Sequence, residues 1–267
     1  MDRVPLRFVE EVLLQLDTKD SLYPSFWGKV AERKRPRKHA RILVYFEPNT
    51  EGRFSVRSTT SLRPVALEDL DQFVLVSIHI REGFGQRTEG QYPLTKSNLK
   101  LLQRHLRRGH PCDLSLFEDL ERASLVEQLC LAPSRLTRIY LFKHQPLPTA
   151  ILTRNIELGT LRSLNCPSGV IVTQEVVPAV LRFVASENFK SLLLPQMSGE
   201  ASKESFVKGV IDAFLSRPRR QKFEFNVSER YKRVCAPLAG EGMRGKVYVN
   251  FNSAKNLLQI YLGRYIV

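Results

Sequence analysis

The chain is poor in the residues that build metal and redox centres. Its 267 residues include four cysteines, Cys112, Cys130, Cys166 and Cys235, and five histidines. No CxxC pair and no clustered histidines occur, so the spacing of structural zinc sites is missing. This predicts reduced thiols, no metal and no cofactor. No apolar run approaches the ~20 residues that a membrane helix needs. The opening MDRVPLRFVEEV carries charges at Asp2, Arg3, Arg7, Glu10 and Glu11, unlike a secretory leader. Together these predict a soluble intracellular protein, cytoplasmic or nuclear. Walker, GxSxG, HExxH and EF-hand patterns are absent, and the glycines of REGFGQRTEGQYP (81–93) do not form GxGxxG. The expectation is a protein that is not an enzyme. His110 and Cys112 are two apart at a strand start, where Cys112 reads as core. His105 and His144 read as lone surface residues. The carboxylates of EDLE (118–121) read as the favoured charge of a first helical turn.

Acidic residues are also in deficit, 27 against 41 Lys and Arg, for a net charge of +14 and a pI near 9.9. Such a balance makes nucleic acid, an anionic membrane or an acidic protein plausible partners. The charge is spread along the chain, however. Residues 1–41 hold ten basic and six acidic side chains, and a second basic patch runs from Arg217 to Lys246. The densest run, ERKRPRKHAR (32–41), is broken by Pro36. It suits a solvated linker, a nuclear import signal or a nucleic-acid grip; aromatics for base stacking do not interleave with it.

What is abundant is periodic hydrophobicity. Phe8, Val12 and Leu16, with Val9 and Leu13 beside them, make one face of an amphipathic helix that Pro5 can open. Pro24 breaks the chain before a short piece bearing Trp27 and Val30. RILVYF (41–46) and RFSVRS (53–58) read as a hairpin, VALEDLDQ as a helical turn and FVLVSIHI (73–80) as a strand. SNLKLLQRHLRRG reads as a helix ended by Gly109.

Strand and helix patterns then alternate: CDLSLF and LERASLVEQLCL, LTRIYLF and TAILTRNIEL, LRSLNC and QEVVPAVLRFVAS, FKSLLL and KESFVKGVIDAFLS, KFEFNV and SERYKRVCAPLAG. Pro178 is expected to bend its helix. GKVYVNF and LLQIYLG close as a hairpin. The strands share the template apolar-x-x-apolar-x-apolar, as in Leu136/Ile139/Leu141, Leu161/Leu164/Cys166 and Phe189/Leu192/Leu194. Looser copies are Leu114/Leu116 and Phe223/Phe225, with Pro111 or Arg220 at the first position. The units start at 111, 136, 161, 189 and 220, close to the period of leucine-rich repeats. The expected class is α/β with mainly parallel strands. The near-constant step favours a leucine-rich-repeat-like solenoid, with an ordinary doubly wound sheet as the alternative.

The order of the two parts resembles a divergent F-box protein of the type expanded in nematodes. Val4-Pro5 stands for the family's Leu-Pro; Phe8, Val12, Leu13 and Leu16 for its apolar helix face; KDSL for the start of its second helix; and Trp27 with Val30-Ala31 for its third. YPSF alone separates Leu22 from Trp27, a shorter second helix than the family's. The resemblance implies an F-box-like helical segment over 1–34 and a leucine-rich-repeat-like α/β domain over 35–267, with clearest repeats over 111–228 and a C-terminal hairpin over 245–263. It implies a substrate-recognition adaptor of a Skp/cullin/F-box ubiquitin ligase. Pro5, Phe8, Val9, Val12, Leu13, Leu16 and Trp27 would bind the Skp-type linker subunit. The outward strand positions Arg138, Tyr140, Arg162, Asn165, Lys190, Lys222 and Glu224 would bind an acidic or phosphorylated protein target. The alternatives are an interaction scaffold whose N-terminal helices only cap the array, and a basic nucleic-acid-binding protein.

Overall fold

The computed structural model describes residues 38–46, 52–83, 90–118, 124–201, 203–216, 224–236, 247–252 and 257–262. The expected segment 1–34 lies outside them, as do Arg217 to Phe223. No helix among the described residues is long and apolar enough to cross a membrane.

The chain opens as a hairpin-like pair, β1 (Lys38–Phe46) and β2 (Arg53–Ser58), followed by a 3-10 turn (Leu67–Gln72), β3 (Phe73–Glu82) and β4 (Gln91–Pro93). Strand β1 begins three residues earlier than expected, so Lys38 to Arg41 of the basic run belong to the sheet. Ala40 in that stretch is fully buried, which ties the run's end to the core. Helix α1 (Lys96–Leu106) follows; its N-cap Thr95 accepts a bond from Asn98 N at 3.2 Å. Then come β5 (Cys112–Leu116), α2 (Ser124–Cys130), β6 (Leu136–Leu141), β7 (Gln145–Pro146), α3 (Thr149–Glu157), β8 (Ser163–Asn165), β9 (Val170–Ile171) and α4 (Val177–Ala185). The chain continues through β10 (Ser191–Leu194), β11 (Met197–Ser198), α5 (Glu204–Leu215), β12 (Glu224–Ser228), a 3-10 turn (Glu229–Tyr231), α6 (Lys232–Cys235), β13 (Val247–Asn252) and β14 (Leu257–Leu262).

Eleven strands form one sheet in the order β13-β14-β12-β10-β8-β6-β5-β3-β1-β2-β4. Strands β1, β3, β5, β6, β8, β10 and β12 are parallel neighbours and follow chain order, without the reversal that marks a doubly wound sheet. Antiparallel strands finish both edges: β2 and β4 on one side, β14 and β13 on the other. The two-residue strands β7, β9 and β11 make a second, parallel sheet. Helices α1 and α2 touch, as do α3 and α4, α4 and α5, and α5 and α6, so the helices form a layer along one face. The architecture is mixed α/β with a large, mostly parallel open sheet.

The strand template has a physical cause. Two residues separate its first apolar positions, which a regular strand with its period of two would place on opposite faces. In β6 the pairing with β5 shifts between Cys112 and Asp113, leaving Thr137 as an extra residue opposite them. The bulge returns Leu136 and Ile139 to the same face. The β1–β3 pairing shifts in the same way, and Leu75, Ile78 and Ile80 prove to be a further copy of the template.

The registers align two apolar rows across the sheet. One runs Val56, Ile42, Ile78, Leu114, Ile139, Leu164, Leu192, Phe225 and Ile260; none is more than 3% exposed. This row is the floor on which the helices pack, and each such side chain stabilises by about 1.5–3 kcal/mol on burial. Three details differ from expectation. Leu192 pairs with Phe225 and Leu194 with Val227, so the last unit starts at 222 and not at 220. A slip of two residues keeps the apolar set on the same face, so alternation alone cannot detect it. Pro178 sits in the first turn of α4, where its missing N–H costs nothing, and bends no helix. The predicted helix after β12 is reduced to a 3-10 turn and one turn of α-helix within the described residues.

Candidate functional site

The other face of the sheet has no helix layer among the described residues, and most of its side chains are partly open, Ser115, Ser163 and Asn226 being buried. Two rows cross it. The first runs Arg41, Ser77, Asp113, Arg138, Ser163, Ser191 and Glu224; the second runs Leu43, His79, Ser115, Tyr140, Asn165, Leu193 and Asn226. Of the residues expected to bind a target, Arg138 and Glu224 lie in the first row. Tyr140 and Asn165 are direct neighbours in the second. Arg162 and Lys190 fall one position before the first row, joined by the bond from Lys190 N to Arg162 O at 2.8 Å. Lys222 lies outside the described residues, as do Pro5, Phe8, Val9, Val12, Leu13, Leu16 and Trp27.

Arg138 is not a free cation. Its Nε donates to Asp113 Oδ1 at 2.9 Å and its Nη2 to Asp113 Oδ2 at 2.5 Å, the bidentate fork that guanidinium and carboxylate favour. The bulge residue Thr137 also donates to Asp113 Oδ1, at 3.0 Å. Hydrogen bonding to Asp113 pushes the Arg138 pKa further up. Asp113 was not anticipated, although it occupies the same template position as Arg138 one repeat earlier.

At the C-terminal ends of β3, β5 and β6 the face becomes aromatic. Phe117 and Phe142 each follow the last apolar residue of their strand, and their rings stack at 4.4 Å with planes 5° apart. Parallel neighbours lie about 4.8 Å apart, which is nearly a stacking distance, so equivalent positions on adjacent strands place their rings face to face. His79 stacks on the Phe117 side at 6.3 Å and Tyr140 lies 6.1 Å from Phe142. Arg81 sets its guanidinium carbon 4.5 Å from the Phe117 centroid, a cation–π contact. Phe142 is 41% exposed, one of four large apolar side chains so open among the described residues. The His79 pKa is lowered first by desolvation, then by Arg41 and Arg81, with Asp113 opposing them. The buried Nε of Arg41 has no acceptor among the described residues. The arrangement presents flat π surfaces beside positive charge. Its signal was present as a Phe directly after the template in two consecutive units.

The remaining expectations divide. All four cysteines are buried and free, and burial raises the pKa of each thiol, for Cys235 to about 11. His144 is exposed and its Nε2 lies 2.8 Å from Ser198 Oγ. His105 corrects the surface reading: it is 4% exposed, held under the end of α1. Its helix places it on the same face as Leu102 and Leu106, a position the lone-histidine argument overlooked. Glu118 forms an ion pair with Lys143 across adjacent loops and has no helix start within the described residues. No group of three or more His, Cys, Asp or Glu able to hold a metal occurs among the described residues.

No family model, no characterised protein and no solved structure matches the chain.

Proposed function

We propose that the chain is a substrate-recognition adaptor of a Skp/cullin/F-box-type ubiquitin ligase, with a leucine-rich-repeat-like array as its target-binding part. It performs no chemistry; it holds a protein target while segment 1–34 docks to the linker subunit. The observation that carries the array is the run of seven parallel strands in chain order, with template positions in register and, among the described residues, one face without a helix layer. A repeat that buries its apolar face on an equivalent neighbour yields that order. The stacked rings and Arg81 on the free face supply what interface anchors need, since aromatic and Arg side chains dominate binding energy. The linker-binding half rests on the F-box resemblance of Val4-Pro5, the Phe8 to Leu16 helix face and Trp27.

Affinity purification of the tagged chain, read for a Skp-type protein, tests the reading. Leu13→Asp and Leu16→Asp are expected to remove that protein while the far-ultraviolet circular dichroism stays unchanged. Its absence from the wild-type sample would sink the adaptor reading and leave an interaction scaffold with an N-terminal cap. The same stacked rings favour a second reading, a single-stranded nucleic-acid platform, because bases stack on such surfaces. A salt-dependent mobility shift of RNA or DNA at physiological salt that Phe142→Ala abolishes would select it.

A further inference from the structure

The loops that lead from each helix into the next strand enclose a cleft of about 500 Å³, at the end of the sheet away from the aromatic stack. Its lining includes Arg107, Arg108, Arg135 and Arg162 together with Ser134 and Thr160, and none of the described lining residues is acidic. The arginines come from three consecutive units: Arg107 and Arg108 precede β5, Arg135 precedes β6 and Arg162 precedes β8. Arg108 also pairs with Asp71, outside the lining, at 2.5 Å.

Cations often gather near helix C-termini, where they meet the negative end of the dipole. That role is already filled here by Arg104 and His105 in the last turn of α1 and by Arg154 in the last turn of α3. Arg135 and Arg162 lie beyond the last turns of α2 and α3, where the dipole no longer acts. Their backbones are fixed by the sheet. Arg135 O accepts from Cys112 N at 2.9 Å, and Arg162 N donates to Thr137 O at 2.8 Å. Ser134 Oγ donates to Arg107 O at 3.4 Å and links the first loop to the second. The cleft is thus a concave surface with several planar forks on anchored loops.

We propose that this cleft binds a phosphate group. Guanidinium forks match phosphate oxygens bidentately, and several converging on one cavity suit a dianion better than a carboxylate. Arg162 thereby takes a role separate from Arg138 and Tyr140. The inference stands independently of the F-box reading. The phosphate can belong to a phosphorylated protein segment or to a free phosphate ester. Leu158, 51% exposed in the same lining, offers an apolar seat beside the charge.

Titration calorimetry on the full chain, at constant ionic strength, tests this with inorganic phosphate, pyrophosphate and a short phosphoserine peptide containing leucine. Pyrophosphate is expected to bind the wild type, and Arg107→Gln with Arg162→Gln to weaken it at least about tenfold. Lys203→Gln with Lys208→Gln removes the same charge from exposed positions outside the lining and is expected to bind as the wild type does. Arg107→Lys with Arg162→Lys keeps the charge and loses the forks; it is the folded reporter if the Gln pair lowers the melting temperature. Tighter binding of the phosphopeptide than of pyrophosphate assigns the protein source, and the reverse order assigns a free ester. No heat with any probe at millimolar concentration, unchanged affinity in both arginine pairs, or an equal loss in the lysine control would overturn the proposal.

Discussion

The two faces of the central sheet are built from alternate residues of the same strands and obey different rules. Under the helices, Ile78, Leu114, Ile139, Leu164 and Leu192 repeat one chemical type at zero exposure. On the open face, the residues beside them are His79, Ser115, Tyr140, Asn165 and Leu193, with no shared character. The uniform row is what lets each unit fit its neighbour, so packing constrains it everywhere. The varied row is less constrained by packing, and beside its His79 and Tyr140 lies the aromatic and cationic end formed by Phe117, Phe142 and Arg81. A sheet that is monotonous on one face and varied on the other places the demands of packing on one set of alternate residues only.

The largest effect expected from this contrast comes from neighbouring residues of β8. Leu164→Ala removes a fully buried side chain at the middle of the sheet and leaves a cavity between two strands and the helix layer. A loss of about 3 kcal/mol in urea unfolding is expected. Asn165→Ala, one residue away on the open face, is expected to cost less than about 0.5 kcal/mol. Comparable losses would mean that the open face is packed against something, and the distinction between the faces would fail.

That distinction explains what could be read from the chain. The α/β class, the hairpin at residues 41–58, the strand positions around Ile139 and Leu164 and the closing hairpin follow from hydrophobic period, because the buried row is periodic. The template register of the last unit was off by two, since Phe223, Phe225 and Val227 satisfy the same alternation. The short strands β7, β9 and β11 escaped because two residues carry no period. The open face was legible in part: the template pointed outward at Arg138, Tyr140 and Asn165. Neither the Asp113–Arg138 fork nor the Phe117–Phe142 stack appears in a linear reading. Each joins residues 25 apart that meet only through the strand register. Arg162 was grouped with Arg138 although the two hold the second and third template positions of their units, so the register sets Ser163 beside Arg138 and leaves Arg162 one level lower.

An intermediate effect is expected at the fork. A double-mutant cycle on Asp113→Ala and Arg138→Ala should give a coupling of about 0.5–1 kcal/mol, because the Arg138 side chain is 52% exposed and water screens the pair. Asp113→Ala should cost slightly more than Arg138→Ala, since it also removes the acceptor of Thr137 Oγ1. The excess stays small because Cys112 O lies 3.3 Å from the same hydroxyl and can accept in its place. A coupling near zero would show that water screens the pair completely and that the open face tolerates the loss of this fork.

The smallest effect is a slope with pH, and it tests whether the open face is as wet as its polar residues suggest. His79 is half shielded by its surroundings, and its pKa is held below the ordinary value of about 6.5 by desolvation first and by Arg41 and Arg81 next. The unfolded chain therefore takes up a proton at this site before the folded chain does. Above the unfolded pKa both states carry a neutral imidazole and the site contributes no slope. As the pH falls through about 6.5 the unfolded state gains a proton that the folded state refuses, and stability declines until the pH drops below the folded pKa, where the loss levels off. Urea midpoints at pH 7.5 and 5.5 should accordingly fall more in the wild type than in His79→Gln, the difference isolating this residue from carboxylates that titrate lower. Arg81→Gln removes one of the repelling charges and should raise the His79 midpoint in an NMR titration, while Asp113→Asn should lower it. A wild-type midpoint at or above 6.5 would mean that water reaches the imidazole freely and that the stacked rings do not shield this end of the face.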